Sequence, residues 1–488
     1  MHKYFLICCY PLFISLSGLA NNLRIGSVTE TIIGSDHFLN FAISWENSWR
    51  ITGAPGNRDA VWLFVKRRDC SAVFWNHVNL ADEDSAHSAG FPLYVDGYTD
   101  KKGVMIYRSA NGSGSIDSIG VQLKLDTPPA GDFEYKVFGI EMVYINQGTF
   151  YLGDGVSTYR FKTGTTNAPY QVTGEGAIFM SNSSTNLWST SNTSGSFTLP
   201  AAYPKGYNAF YCMKYEVSQG QYAEFLNSIS NDAFLNRYDA GKVGLSRYTI
   251  AGTWPSMAAS VPDRACNWIS IADLMAYMDW SALSPMTELE FEKVCRGTNM
   301  PVAAEFAWGT SGITNADTIT TGTDGQPNET VSNYIAPGTG PALYNISGPR
   351  GPLRCGFAAR TSTSRVQAGA AYYGAMDMSG NVWELCYTTD SMMFGRATSF
   401  NGSHGDGELA VTPYSGYSNA GWPAEITGDP NASFFSFSAR GGAWSSQFSG
   451  QFLQTSDRDA NIMNTAVPAF DGNGRNHSFG GRGVSRRQ

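Results

Sequence analysis

The stretch Tyr372–Glu384 constrains the fold of this chain more than any other. Its sequence, YYGAMDMSGNVWE, places a glycine-containing turn between apolar residues that have the character of a protein core. Two carboxylates, Asp377 and Glu384, lie in the same stretch. Carboxylates, together with the carbonyl oxygens that such a turn exposes, are ligands that Ca²⁺ prefers. The residues alone favour a simple turn beside a buried tryptophan over a cation site.

Length and composition indicate a loop-rich, strand-rich protein of two or three domains. The chain has 488 residues, and most domains contain about 100–200 residues. It has 53 glycines, and its charged fraction is only 15%, against a usual value of about 25%. The net charge of −8 and the lack of a basic stripe argue against nucleic acid as a partner.

Residues 1–20 have the layout of a secretory signal peptide. Lys3 precedes the apolar run Tyr4–Leu19, and Ser17–Ala20 ends in small residues. The run is too short for a comfortable membrane span, and no other apolar run is long enough to cross a bilayer. We therefore predict a secreted, periplasmic or cell-surface protein with no transmembrane segment once the signal peptide is removed.

The cysteines of the mature chain leave the redox chemistry open. An even number of cysteines in an oxidising compartment permits disulfides, but many pairings are possible. The absence of a C-x-x-C motif argues against a zinc knuckle and against a thioredoxin-like redox centre. The cysteines that remain are Cys70, Cys212, Cys266, Cys295, Cys355 and Cys386.

Residues 21–138 carry the alternation of half-buried β-strands. Between Leu39 and Trp45, large apolar residues alternate with small or polar ones. Ala60–Val65 is instead a continuous apolar run, which is typical of a strand buried on both faces. We predict an all-β sandwich domain here, without a recognisable binding motif or a catalytic cluster.

Residues 139–488 carry several short motifs in a fixed order. Capping boxes at Ser218 and Thr287 and a cap at Ser270 predict helices. The three glutamates after Thr287 indicate a helix cap and a solvated helix face, and Asp457–Asp459 indicates a surface ion pair. The motifs are Met142–Phe150, Lys214–Ser218, Pro285–Gly297, Phe306–Gly309, Tyr372–Glu384, Arg440–Trp444 and Gly480–Val484.

These motifs resemble those of the formylglycine-generating enzyme (sulfatase-modifying factor) family, whose fold is related to C-type lectins. The run Y-G-A-M-D-M-S-G-N-V-W-E is similar to the family's Y-G-L-x-D-M-x-G-N-V-W-E-W, and R-G-G-A-W is similar to R-G-G-S-W. The resemblance extends from Met142 to Val484. It implies an α+β, formylglycine-generating-enzyme-like domain at residues 139–488, preceded by the all-β sandwich domain.

The resemblance also implies which chemistry this chain lacks. The enzyme that names the family oxidises a sulfatase cysteine with O₂ and with copper held by two cysteines. The matching positions here are Ser446 and Gln451, and no cysteine occurs after Gly441. Cu(I) requires thiolate or thioether ligands, so we expect no copper, and the catalytic residues are unknown. The histidines also lack the spacing of the family's iron-dependent sulfoxide-forming branch.

Other family sites map onto oxygen donors and a ligand groove. The resemblance implies structural calcium, held by Asp377, Gly380, Val382 and Glu384. A second family calcium site begins at a pair that Asn333 and Tyr334 match, but its other ligands are not placed. The predicted groove residues are Trp444, Ser446, Gln451, Arg458 and Arg482.

We predict a pseudoenzyme, a calcium-stabilised recognition module for protein or glycan. Loops around residues 310–370 and 390–435 are rich in Tyr, Trp, Asn, Ser and Gly, which give adaptable binding surfaces. The alternative is an oxidoreductase of the formylglycine-generating or a related type, with Cys355 and Cys386 as its nearby thiols. A surface-assembly component is a third possibility.

Overall fold

The computed structural model describes residues 22–183, 185–189, 191, 195–333, 336–345, 348–360, 363–389, 400–409, 419, 422, 437–446, 450–459 and 474–486. The predicted signal peptide, residues 1–20, and Tyr334 lie outside the described residues.

The first part of the chain consists of strands. In chain order they are β1 (Arg24–Ile25), β2 (Thr29–Ile33), β3 (Asp36–Arg50), β4 (Asp59–Asp69), β5 (Asn76–Val78), β6 (Ser88–Ala89), β7 (Leu93–Gly97), β8 (Val104–Arg108), β9 (Gly112–Lys124) and β10 (Phe133–Ile145).

The remaining part of the chain contains shorter strands and a few helices. The helices are α1 (Gln219–Ser228), α2 (Asn231–Arg237), α3 (Ile271–Trp280) and α4 (Glu288–Arg296). The strands are β11 (Phe150–Leu152), β12 (Phe161–Thr163), β13 (Tyr170–Val172), β14 (Ile178–Met180), β15 (Leu187–Ser189), β16 (Phe197–Leu199), β17 (Phe210–Met213), β18 (Ile250–Thr253), β19 (Ser256–Ala259), β20 (Ser284–Pro285), β21 (Gly312–Asn315), β22 (Thr339–Ala342), β23 (Trp383–Tyr387), β24 (Phe437–Arg440), β25 (Phe479–Gly480) and β26 (Gly483–Ser485).

The N-terminal strands form two facing antiparallel sheets, consistent with the predicted sandwich. One sheet has the order β1-β3-β9-β6, with β2 paired to β3. The apolar positions predicted in β3, from Leu39 to Trp45, are buried and pack against alternate residues of β4. This alternation fixes which face of β3 points inward, because a shift of one residue would expose every apolar side chain.

The second sheet runs from the sandwich into the C-terminal part of the chain. Its order is β20-β26-β17-β10-β4-β8-β7, with β5 paired to β4. In β4, Val61, Leu63 and Val65 face the sandwich core. Trp62 and Phe64 face a larger core that includes the helices. The continuous apolar run of β4 therefore reflects two buried faces, as the sequence predicted.

Strand β10 crosses the predicted boundary between residues 138 and 139. It pairs with β4 from Phe133 to Val143, and with β17 from Met142 to Ile145. Aromatic contacts support the same junction, since the Trp280 ring lies 5.1 Å from that of Phe64 and 4.9 Å from that of Phe138. One sheet and one core thus join the two predicted domains.

The three helix starts predicted from sequence are confirmed. Ser218, Ser270 and Thr287 each accept a hydrogen bond from the backbone N–H three residues on, and each forms a complete capping box. Helix α4 ends at Gly297, whose φ of 65° a residue with a Cβ rarely adopts. No helix in the described part of the chain is long and apolar enough to cross a bilayer.

Division of the chain at residue 139 tests the shared sheet. A fragment of residues 139–488 would contain only the second part of β10 and would lack β4, the strand that pairs with it. We expect this fragment to show no cooperative thermal unfolding by circular dichroism, whereas residues 21–488 unfold cooperatively. A fragment with the unfolding midpoint of the longer chain would show instead that the two parts fold independently.

Candidate functional site

The Tyr372–Glu384 stretch and the C-terminal motif meet at a buried ion pair. The Nη2 of Arg482 donates to Glu384 Oε1 at 2.8 Å and to the Met376 carbonyl at 2.8 Å. Both side chains are fully buried. Because a buried charge is costly unless it is paired, this contact fixes the last strands relative to the turn at Ser379–Asn381.

Two more carboxylates complete what we name the turn cluster: Glu216, Asp377, Glu384 and Arg482. Glu216 Oε2 accepts from Asn381 Nδ2 at 2.6 Å, and its Oε1 accepts from the Val382 N–H at 3.1 Å. Asp377 Oδ2 accepts from the Gly356 N–H. The motif Lys214–Ser218 is thereby bound to the same turn.

The turn cluster contains three carboxyl groups and one guanidinium group. Burial, and then Asp377 and Glu384, raise the pKa of Glu216 well above its ordinary value. Burial likewise raises the pKa of Asp377, and it raises the pKa of Glu384 to about 8 despite the Arg482 ion pair. A further cation would stabilise the ionised forms of these carboxylates.

The predicted calcium ligands lie in or beside this cluster. Asp377 and Glu384 belong to it, Gly380 lies in the turn, and Val382 directly follows the turn. Glu384 Oε2 is buried without a hydrogen-bond partner among the described residues. A hard cation fits such a donor set of carboxylates and turn carbonyls. No group of three His, Cys, Asp or Glu side chains with metal-ligand spacing occurs in the described ranges. The predicted set contains two carboxylates, so calcium binding stays a prediction.

The second predicted calcium site is described only at Asn333. Its Nδ2 donates to Asp317 Oδ1 at 2.9 Å, and its Oδ1 accepts from the Thr318 N–H at 3.2 Å. The side chain therefore holds the loop before β22. Tyr334 lies outside the described residues.

A second buried group, which we name the helix cluster, consists of Glu288, Glu292, Arg440 and Arg458. Glu288 Oε2 accepts from Arg440 Nη1 at 2.9 Å and from Arg458 Nε at 2.6 Å. Arg440 Nη2 also donates to Glu292 Oε1 at 3.0 Å. All four side chains are fully buried.

The helix cluster corrects two expectations from sequence. The three glutamates of α4, predicted to form a solvated face, are all buried: Glu288, Glu290 and Glu292. Arg458, predicted to form a surface ion pair, is also buried. The physical reason is that guanidinium groups from β24 and from residues 450–459 neutralise the helix carboxylates inside the protein.

Most residues of the predicted ligand groove are buried. Trp444, Ser446, Arg458 and Arg482 are buried, and Gln451 alone among the five is partly exposed. The Ser446 hydroxyl accepts from the Ala443 N–H at 2.9 Å, and Trp444 Nε1 donates to the His477 carbonyl at 3.1 Å. These hydrogen bonds support the local backbone, and the role of the five residues in a ligand groove stays a prediction.

The cysteines, whose redox state the sequence left open, are free thiols. Cys70 is exposed, and the other five described cysteines are buried. Burial raises the pKa of the Cys355 and Cys386 thiols well above the ordinary value, and it raises that of Cys212 to about 12. The buried sulfurs are therefore protonated near neutral pH and are poor nucleophiles and metal ligands.

The fold and the site define a class: an α+β domain whose short motifs are joined by buried ion pairs, on a β-rich N-terminal region. The family model of the sulfatase-modifying factor enzyme 1-like domain matches residues 136–469. The chain belongs to this family.

The chain is similar to the solved structure of PvdO from Pseudomonas aeruginosa, at 18% identity over 72% of this chain and 95% of that chain, with a TM-score of 0.32. No curated protein matches it.

Removal of one guanidinium tests the helix cluster. Arg440→Met leaves Glu288 and Glu292 buried with an ion-pair partner missing, so we expect a loss of about 3–5 kcal/mol in the free energy of unfolding. The control is Arg68→Met, which breaks a half-exposed pair with Glu134 and should cost at most about 1 kcal/mol. Urea unfolding measures both, and equal effects would contradict the account.

Acid titration tests the same cluster in another way. Burial alone would raise the pKa of Glu288, but the ion pairs with Arg458 and Arg440 outweigh it and lower the pKa to about 2. A lowered folded-state pKa contributes stability above the unfolded value of about 4.5, and that stability is lost as pH falls towards 2. We expect wild type to lose stability more steeply over this range than Glu288→Gln. The same dependence of the free energy of unfolding on pH in both proteins would contradict this prediction.

Proposed function

We propose that this chain is a secreted recognition protein. Its sulfatase-modifying-factor-type domain serves as a calcium-stabilised scaffold for binding protein or glycan, and it does not act as a copper oxidase. The observation that carries the proposal is the chemistry at the two copper-ligand positions of the family. Ser446 and Gln451 provide no sulfur, and the Ser446 hydroxyl already accepts a backbone hydrogen bond.

The state of the other cysteines supports the same proposal over the oxidoreductase alternative. A thiol oxidase needs a thiolate that its substrate can reach. Cys355 and Cys386 are completely buried, and burial raises the pKa of both thiols. Neither meets this requirement.

Anchored loops support a role in recognition. Glu329, in the loop between β21 and β22, accepts from Arg247 at 2.6 Å and from Arg264 at 3.0 Å. Its Oε1 also accepts from the Arg354 N–H at 3.0 Å, which joins two irregular segments. A loop that is already ordered loses less conformational entropy when it binds a partner.

A peptide assay tests the proposed loss of oxidase activity. Purified residues 21–488 are incubated with Cu(I), O₂ and a peptide containing C-x-P-x-R, and formylglycine is measured by mass spectrometry. We expect no turnover and no tight Cu(I) binding. The matched comparison is Ser446→Cys/Gln451→Cys, which supplies sulfur at both positions. Turnover by the wild-type chain would refute the proposal.

The recognition role needs a binding measurement of its own. Labelled protein is applied to a glycan array and to a panel of extracellular proteins. We expect a saturable ligand whose binding weakens when exposed loop residues such as Asp324, 69% exposed at its side chain, are changed to alanine. Binding that survives all loop changes would remove the loops from the proposed function.

Calcium removal tests the proposed stabilising role of the ion. We expect excess Ca²⁺ to raise the midpoint of thermal unfolding by about 2–4 °C relative to a chelator. Glu384→Gln should abolish the difference, and Glu134→Gln, at a half-exposed position, should retain it. An unfolding midpoint independent of calcium would remove the ion from the proposal.

A further inference from the structure

A cavity lies where the sandwich meets the family domain. Its volume is about 20 Å³, room for one group the size of a water molecule, and it is partly open to solvent. Glu141, in the middle of β10, contributes the carboxylate of interest. The polar residues that line the cavity beside it include Tyr215, Glu216, Ser218 and Gln221.

Glu141 is a buried carboxylate for which the described part of the chain supplies no hydrogen bond. The residue as a whole is only 7% exposed. Neither Oε1 nor Oε2 has a hydrogen-bond partner among the described residues. The other carboxylate of the cavity, Glu216, already accepts from Asn381 and Val382. Glu141 is therefore the carboxylate of this cavity whose two oxygens lack a hydrogen-bond partner in the described part of the chain.

Glu141 makes no ion pair within the described residues, and Lys214 offsets its charge only in part. Lys214 is the neighbouring cation, but its Nζ lies over the rings of Trp49 and Tyr215, at 4.8 and 5.4 Å from their centroids. Burial raises the pKa of Glu141 to about 8, and Asp59, Asp263 and Glu46 add to the rise, while Lys214 opposes it. An unpaired buried charge is costly, so Glu141 must bind either a proton or another cation.

We propose that this cavity is a binding site for one small cation with a single positive charge, held by Glu141. One free carboxylate matches one charge. Tyr215, Ser218 and Gln221 add neutral oxygens to the cavity lining. The oxygens of Ser218 and Gln221 each already accept one backbone N–H in the helix cap.

The cation has two possible sources with the same chemistry. One is a free monovalent ion. The other is the α-ammonium of the mature chain, and this source rests on the proposed export. Leu23 lines the cavity, and Asn22 Nδ2 donates to Glu46 Oε1 at 2.8 Å. Cleavage after Ala20 would place an α-ammonium on Asn21, two positions before Leu23 in the sequence.

Salt-dependent unfolding tests the free-ion source. Midpoints of thermal unfolding are measured at about pH 9, where Glu141 would otherwise ionise, in ammonium, potassium or sodium chloride. Choline chloride at the same ionic strength is the reference, since choline is too bulky for the site. We expect a rise of about 2 °C or more in wild type. Glu141→Gln should lose this rise, and Glu134→Gln in the same strand should keep it.

Changes at the N-terminus test the second source. Intact mass first establishes where the mature chain begins, which also tests export separately. If the α-ammonium occupies the site, the mature wild type shows no salt effect. One added N-terminal residue should then lower its midpoint and introduce the salt dependence, with no such change in Glu141→Gln.

The raised pKa of Glu141 determines how the stability of the protein changes with pH when no cation is bound. Without a cation, a folded-state pKa of Glu141 near 8 means that its contribution to stability is present below about pH 4.5 and is lost as pH rises towards 8. Glu141→Gln should remove that loss. If neither salts nor the added residue changes the difference between wild type and Glu141→Gln, Glu141 is simply protonated and the proposal is overturned.

Discussion

The ion pair between Arg482 and Glu384 is the interaction on which the rest of the family domain depends. It joins the last strands of the chain to the turn at Ser379–Asn381. Glu216, which precedes this turn in the sequence, accepts hydrogen bonds from Asn381 and Val382. A charge inside a protein is stable only in the arrangement that pairs it. The turn cluster and the helix cluster therefore specify one packing of motifs that lie far apart in the chain.

The buried ion pairs do not involve the positions that match the family's copper ligands. Residues of the family signature hold the interior together through these pairs. Ser446 and Gln451 belong to neither the turn cluster nor the helix cluster. The N-terminal sandwich shares a sheet with the same scaffold through β10, so it contributes to the stability of the whole chain.

Features set by neighbouring residues could be predicted from the sequence. The capping boxes at Ser218 and Thr287, the alternation in β3 and the two buried faces of β4 follow from local spacing. The burial of Glu288 could not be predicted in this way, because charged residues on an exposed helix face have the same pattern. Its partner Arg440 lies 152 positions away, and only the fold brings the two together. The hydrogen-bond state of Glu141 likewise depends on which side chains the fold leaves beside it.

The central claim is that the family scaffold is retained here without an accessible pair of thiols. Labelling of the native mature chain with a maleimide, followed by peptide mapping, tests this claim most directly. The account predicts modification of Cys70, with Cys212, Cys266, Cys295, Cys355 and Cys386 protected until the protein is unfolded. Rapid labelling of any two of these five in the native protein would contradict it.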